Sequence, residues 1–255
     1  MNKMQLLAAA CLLSAGTWLG GCSSSSYQLT EVKGERIEVT SALDANPDSV
    51  ALAILAPYKA KVDSVMSPVV GVSDMYMEAG RPESLLSNLV ADVLRRASYQ
   101  YPGHEAEVGL VNVGGLRAPL PAGDITYGRI YQILPFENSL SIVEMTGTQL
   151  LHLLQNIVAA GGEGISGARI GMRNGELLYA YVGGYPLDEN RVYRVATIDY
   201  LSEGNDGMTA FKEVTTPFFQ PEGATLRKIF LDYVSDRHRW GLTISSALDG
   251  RIAEK

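Results

Sequence analysis

The sequence predicts an α/β fold: a single domain with a mixed β-sheet and flanking helices. Three observations carry that expectation. Apolar residues recur at helical spacing in some stretches and in short extended runs in others, and the two kinds alternate along the chain. Arg173-Asn174-Gly175 separates two apolar runs as a hairpin turn would, adding an antiparallel pair to the parallel connections that alternating helices and strands imply. Residues 46–255 number 210, enough for one large domain with a substantial core.

The first 22 residues read as a leader rather than as part of that fold. Lys3 gives a short basic start, residues 6–18 form an apolar run, and Leu19-Gly20-Gly21-Cys22 follows at once. The tetrapeptide reads as a lipobox, whose small residues permit cleavage and whose Cys22 thiol becomes the site of lipidation. A membrane-spanning helix is the weaker reading, because the apolar run is shorter than the roughly 20 residues a span requires. The expected product is a lipoprotein of the bacterial cell envelope, anchored to a membrane through Cys22 and facing the periplasm or the exterior. Residues 23–45, opening on a serine run, then serve as a flexible tether. The other cysteine, Cys11, falls in the leader, so no disulfide is expected in the 46–255 domain.

Along that domain, Asn46-Pro47-Asp48 suggests the cap and acidic first turn of an amphipathic helix carrying Val50, Leu52, Ile54 and Leu55, kinked or ended by Pro57. Leu85, Leu86, Leu89, Val90, Val93, Leu94 and Ala97 place a second helix over about 83–98, leaving Asp92, Arg95 and Arg96 toward solvent. Residues 108–113 form a short apolar strand running into Gly114-Gly115, and 139–145 form another. Thr146-Gly147-Thr148-Gln149 is a capping box for a helix reaching Val158 and stopped by Gly161-Gly162. Strands follow at 168–172, 176–182 and 193–198, with a last long helix at 225–234 and an irregular or extended tail at 240–252. Gly164-Ile165-Ser166-Gly167 reads as a turn, since nothing around it suits a nucleophile elbow.

A net charge of −7 and the lack of long Lys/Arg runs argue against a polyanion-binding surface, so nucleic acid is not an expected partner. A small anion held by one or two arginines remains compatible, because the local field decides there. The chain has three histidines, His104, His152 and His238, far apart and without ligand-like spacing to acids. A two-metal phosphatase centre needs several clustered His and Asp ligands, which these residues do not supply, so no metal or cofactor is expected in this chain.

What remains is a binding pattern. Gly114 and Gly115 let backbone approach a ligand, and Arg117 offers a forked cation for phosphate or carboxylate. Phe136 supplies a flat face for a base. Taken singly, each has an ordinary structural explanation: a Gly-rich turn, a solvated arginine, a core phenylalanine, and a tight turn at Asp206-Gly207.

Their order is more specific. Residues 83–92, Asn112-Val113-Gly114-Gly115-Leu116-Arg117, Gly123-Asp124-Ile125-Thr126-Tyr127, Pro135-Phe136-Glu137-Asn138, Thr146-Gly147, Tyr193-Arg194-Val195-Ala196-Thr197 and Gly204-Asn205-Asp206-Gly207 together resemble the C-terminal domain of the 5'-nucleotidase family. The resemblance covers roughly residues 46–252. It implies that this region binds substrate while a separate N-terminal metallophosphoesterase domain, absent from the pattern here, carries divalent metals. Carried over, Arg117 would contact phosphate or ribose with Asn112 beside it. Phe136 and Tyr200 would clamp the base, Asn138 would address its edge, and Asp206 would accept from ribose hydroxyls. Val113 stands where the family usually has another glycine, Asn205 where glycine is common, and Pro82 where a further phosphate-binding arginine belongs, with Arg81 one residue away.

Two functions follow from the resemblance. One is the nucleotide- or nucleoside-recognition half of a 5'-nucleotidase, inactive alone and completed by a separately encoded dimetal metallophosphoesterase chain. The other is a non-catalytic nucleoside- or nucleotide-binding or scaffold lipoprotein of the cell envelope.

Overall fold

The computed structural model describes residues 28–101 and 105–255; the expected leader with Cys22, the start of the tether, and His104 lie outside them. Contacts divide the chain between Leu52 and Ala53. Ahead of that division the described residues are exposed, with one 3-10 turn at Ser41–Ala45.

Helix α1 runs from Ser49 to Met66. Asp48, not Asn46, caps it: its Oδ1 accepts from the amides of Val50 and Ala51 at 2.8 and 3.1 Å. Pro57 does not end the helix, which continues for another two turns and carries the Lys59–Asp63 pair one turn apart. No residue of α1 is buried, so Val50, Leu52, Ile54 and Leu55 do not form the core face that their apolarity suggested.

Beyond α1 the chain is an α/β arrangement of mixed sheets and flanking helices. Its central sheet has four strands in the order β4-β9-β2-β5, formed by Leu140–Thr146, Val192–Ile198, Val108–Val111 and Gly164–Ser166. β2 and β9 are parallel, while β4 and β5 lie antiparallel to their neighbours. β2 is buried at every position, as a strand covered on both faces must be. A second four-stranded sheet contains Ala168–Arg173 (β6) and Glu176–Val182 (β7). They are joined through Asn174 at φ 51° and Gly175 at φ 78°, the left-handed pair that a tight hairpin requires. Tyr185–Pro186 (β8) extends that sheet on one side and Ile252–Glu254 (β10) on the other. The expected single sheet is thus divided, and the tail at 240–252 ends by pairing parallel to β6. A short antiparallel pair, Val69–Ser73 (β1) with Gly123–Thr126 (β3), was not foreseen. Neither was the helix Tyr127–Ile133 (α3), nor that 164–166 forms a strand and not a turn.

Helix α2, Leu85–Ala97, buries Leu86, Leu89, Val90, Val93 and Leu94 and is capped by Ser84. It lies so close to β2 that a Cβ on Gly109 would come within 2.8 Å of the Ala91 carbonyl. Asp92 and Arg95 are only partly exposed, at 27% and 26%, and are bonded where helical spacing suggested free solvent. Arg95 Nε donates to Ser166 Oγ, Ser166 Oγ donates to Asp92, and Arg251 from the tail makes two bonds to the Asp92 carboxylate at 2.8 and 2.9 Å. The tail is therefore pinned by a charged pair over the helix that the sheet supports. Helix α4, Gly147–Ala159, begins with the reciprocal Thr146–Gln149 capping box, and Gly161 and Gly162 follow it at positive φ. A four-residue helix, α5 (Asp199–Ser202), follows β9, and the long helix α6 spans Leu226–Arg239 behind Thr225 as N-cap.

Phe230 of α6 is completely buried. Replacing it with alanine removes its transfer energy and leaves a cavity, so Phe230→Ala is expected to lower unfolding stability by about 3–5 kcal/mol. Denaturant titration of the purified chain checks this.

Candidate functional site

The register of the central sheet decides where ligand-binding groups can gather. Val108 and Gly109 of β2 lie beside Val195 and Ala196 of β9, so the two parallel strands end at the same edge. β4 starts at that edge, with Leu140 opposite Ile198, and β5 starts there too, with Gly164 opposite Val111. The segments leaving β2 and β9 therefore meet those entering β4 and β5. This is the crevice beyond the carboxyl ends of parallel strands, where α/β sheets commonly bind ligands.

All eight pocket residues expected from the sequence line one cavity of about 380 Å³ there: Asn112, Gly114, Gly115, Arg117, Phe136, Asn138, Tyr200 and Asp206. Asn112 to Arg117 come from the β2 exit, where Val113–Gly115 form one 3-10 turn. Gly115 permits a close approach within the turn, since a Cβ there would lie 2.7 Å from Asn112 Oδ1. Arg117 is held by its amide to the Ile133 carbonyl at 2.9 Å, and its Nη1 donates to the Gly114 carbonyl at 3.1 Å. The remaining guanidinium donors are unengaged by that bond. Phe136 and Asn138 come from the segment entering β4, and Tyr200 and Asp206 from α5 and the loop after it.

Asp206 joins the two exit loops. Its Oδ2 accepts from Asn112 Nδ2 at 2.7 Å and its Oδ1 from the Tyr200 hydroxyl at 2.8 Å. The residue sits at φ 49° in a tight turn completed by Gly207. Structural and site readings of this turn are therefore not exclusive: the left-handed backbone is what aims the carboxylate inward. Its effect on Tyr200 is electrostatic. Hydrogen bonding to Asp206, then the nearby negative charge, raises the phenol above its ordinary value of 10.0. Phe136 and Tyr200 are both exposed, at 49% and 39%, so their faces are available to a ligand.

Two supporting residues escaped the sequence reasoning. Arg227, only 8% exposed, donates to the carbonyls of Leu134 and Pro135 at 3.0 Å each and forms an ion pair with Glu137. It also lies over the Tyr131 ring at 4.2 Å, so it braces the segment that presents Phe136. The available signal was its spacing, three residues ahead of Phe230 and seven ahead of Val234 on the buried face of α6. Glu163 stands behind the β2 exit, paired with Arg81 and accepting from the Val113 amide. Arg81 is thus engaged with a carboxylate and does not line the cavity. A lone acid between Gly162 and a buried strand was the available signal for Glu163.

The other candidates stand apart. His152 pairs with Glu213 at 2.9 Å on an exposed helix flank, and His238 is in the last turn of α6. Among the described residues no group of three or more His, Cys, Asp and Glu could hold a metal ion. Nor is any of their helices long and apolar enough to cross a membrane.

Comparison with known proteins gives a consistent set of similarities. Residues 67–213 match the family model of the 5'-nucleotidase C-terminal domain. The chain is 27% identical over 221 residues to a trifunctional nucleotide phosphoesterase protein of Bacillus subtilis, covering 78% of this chain and 15% of that one. It is 26% identical over 237 residues to a cell wall protein of Listeria monocytogenes, covering 82% of this chain and 30% of the other. Among solved structures, a 5'-nucleotidase precursor from Thermus thermophilus superposes with a TM-score of 0.71 at 28% identity, covering 83% of this chain and 44% of that one. The chain thus spans less than half the length of each of these relatives.

The Asp206 hydrogen bond makes the Tyr200 phenol directly testable. In a tyrosine NMR titration Tyr200 is expected to ionise above an ordinary tyrosine, and Asp206→Asn, which removes the negative charge, is expected to bring it back down.

Proposed function

The chain belongs to the 5'-nucleotidase C-terminal-domain family, and on that premise we propose that the cavity between Asn112 and Asp206 is the nucleoside- or nucleotide-recognition site of a 5'-nucleotidase. The observation that carries this reading is the convergence of an arginine, two exposed aromatic faces, an amide and a carboxylate around one cavity at the sheet edge. In it, the base lies against Phe136 and Tyr200, with Asn138 at its edge. Asp206 accepts from ribose hydroxyls, and Arg117 takes the phosphate end. Asn112 fixes Asp206, and the two glycines leave room for the sugar.

Hydrolysis in this proposal belongs to a separate metallophosphoesterase chain, which supplies the divalent metals for which the described residues have no ligand set. This chain contributes orientation: it holds the nucleotide so that its phosphate is presented in one geometry. The proposal also places the protein in the bacterial envelope, tethered through lipidated Cys22. The name of the Listeria relative, a cell wall protein, agrees with that placement. Tethering both chains to one membrane raises their effective concentration, which a split enzyme needs.

The purified chain with divalent metal is expected to release no phosphate from AMP, and a mixture with the metallophosphoesterase chain is expected to do so. Turnover by a contamination-free preparation of this chain alone contradicts the division of labour. Nucleotide binding without turnover in the mixture supports the non-catalytic binding protein instead. By calorimetry, Phe136→Ala is expected to weaken adenosine binding by about 1–3 kcal/mol, the usual worth of a base-stacking contact. Asp206→Ala is expected to cost a similar amount, about 1.5–3 kcal/mol for hydrogen bonds to a charged acceptor.

A further inference from the structure

The geometry points to Glu163 as a positioning residue: we propose that its buried carboxylate latches the Asn112–Arg117 turn through the Val113 amide, and that affinity for a nucleoside depends on this latch. The proposal rests on reading the cavity as a nucleoside site.

The turn presents a hydrogen-bonding problem. Asn112 is the N-cap of the Val113–Gly115 turn, and an asparagine there would ordinarily satisfy a free amide with its own side chain. It makes no such bond. Its side chain is turned to Asp206 instead, donating at 2.7 Å. Glu163 caps the turn in its place, its Oε2 accepting from the Val113 amide at 2.5 Å. Asn112 is thereby free to orient the carboxylate that meets the ligand.

Glu163 has little freedom to do anything else. Its side chain is completely buried. The preceding Gly162, at φ 107°, is packed so tightly that a Cβ would lie 2.4 Å from the Pro82 carbonyl oxygen. The following Gly164 is paired with Val111, one residue before Asn112. Latch and turn are thus consecutive to two paired positions of the same sheet, and a shift in one moves the other. The other carboxylate oxygen engages Arg81, which compensates the buried charge and is kept from the cavity.

The charged groups facing Glu163 are Arg81, which favours its ionised form, and Asp206, which opposes it. Burial is the largest influence and, with Asp206, holds the carboxyl above its ordinary 4.5 despite the bonds from Val113 and Arg81. The charged latch is therefore present above that raised value and lost as pH falls through it. Stability has the opposite sign. The cost of burying the ionised form appears as pH rises through the raised value and is absent below the ordinary one. Removing the charge at pH 7 should therefore weaken binding without lowering the melting temperature.

The test uses the full chain and Glu163→Gln, with adenosine as probe. At pH 7 the variant is expected to bind about tenfold more weakly, the loss of one charge-assisted hydrogen bond. Its Val113 amide should exchange with solvent faster, and its melting temperature should not fall. The unmodified chain should lose affinity as pH falls through the raised value of Glu163, and the variant should not. Unchanged affinity in the variant overturns the role in binding. A pH slope that survives in it also does so, assigning the slope to another group such as Asp206. Unchanged exchange at Val113 overturns the latch itself, with or without ligand. If adenosine binds neither protein at any pH, the nucleoside reading fails, and the exchange measurement alone decides the latch.

Discussion

The parallel pairing of β2 with β9 is the constraint on which the site depends. Once Val108 lies beside Val195, the two strands must exit at one edge, and the Asn112 turn must face the loop that carries Tyr200 and Asp206. The antiparallel neighbours follow from the same register, bringing the Phe136 segment and Glu163 to that edge. No residue of the cavity needs an unusual fold to reach it. They are consequences of which strands are neighbours, and β2, buried at every position, lies between two of them.

Hydrogen bonding then turns proximity into geometry. Asp206 and Asn112 are 94 residues apart in sequence, yet one bond of 2.7 Å holds their loops together. Behind them are two partly hidden charged pairs, Glu163–Arg81 and Glu137–Arg227, whose buried members are the acid in one and the base in the other. Each braces a different wall, the first the Gly-rich turn and the second the Phe136 segment. Removing the more exposed member of either pair leaves a buried charge without its partner, so both pairs constrain conformation. The cavity surface itself keeps one cation, Arg117, and one carboxylate, Asp206. That balance suits a ligand with hydroxyls at one end and a phosphate at the other.

Much of this was legible in the sequence because it depends on local signals. The Thr146–Gln149 capping box, the Asn174-Gly175 turn and the apolar stripe of α2 are each set by neighbouring residues, and each forms where its pattern places it. The eight cavity residues were legible through the order of their motifs, which their convergence on one cavity matches. What stayed hidden was long-range. Nothing near Asp92 or Arg95 announces that Ser166 and Arg251 will cover them, and nothing near Glu163 announces Val113 and Arg81. The same applies to α1, whose apolar residues follow a helical pattern but meet no core in the described residues. Periodicity reports that a face is apolar; only tertiary structure reports what it meets.

The central claim is that a nucleoside binds in the cavity where β2 and β9 end. Amide chemical-shift mapping of the labelled chain titrated with adenosine tests it most directly. Saturable shifts concentrated at Gly114, Gly115, Arg117, Phe136, Asn138 and Asp206 are the predicted result. Saturable shifts centred elsewhere, or no saturable shift at all, would contradict it.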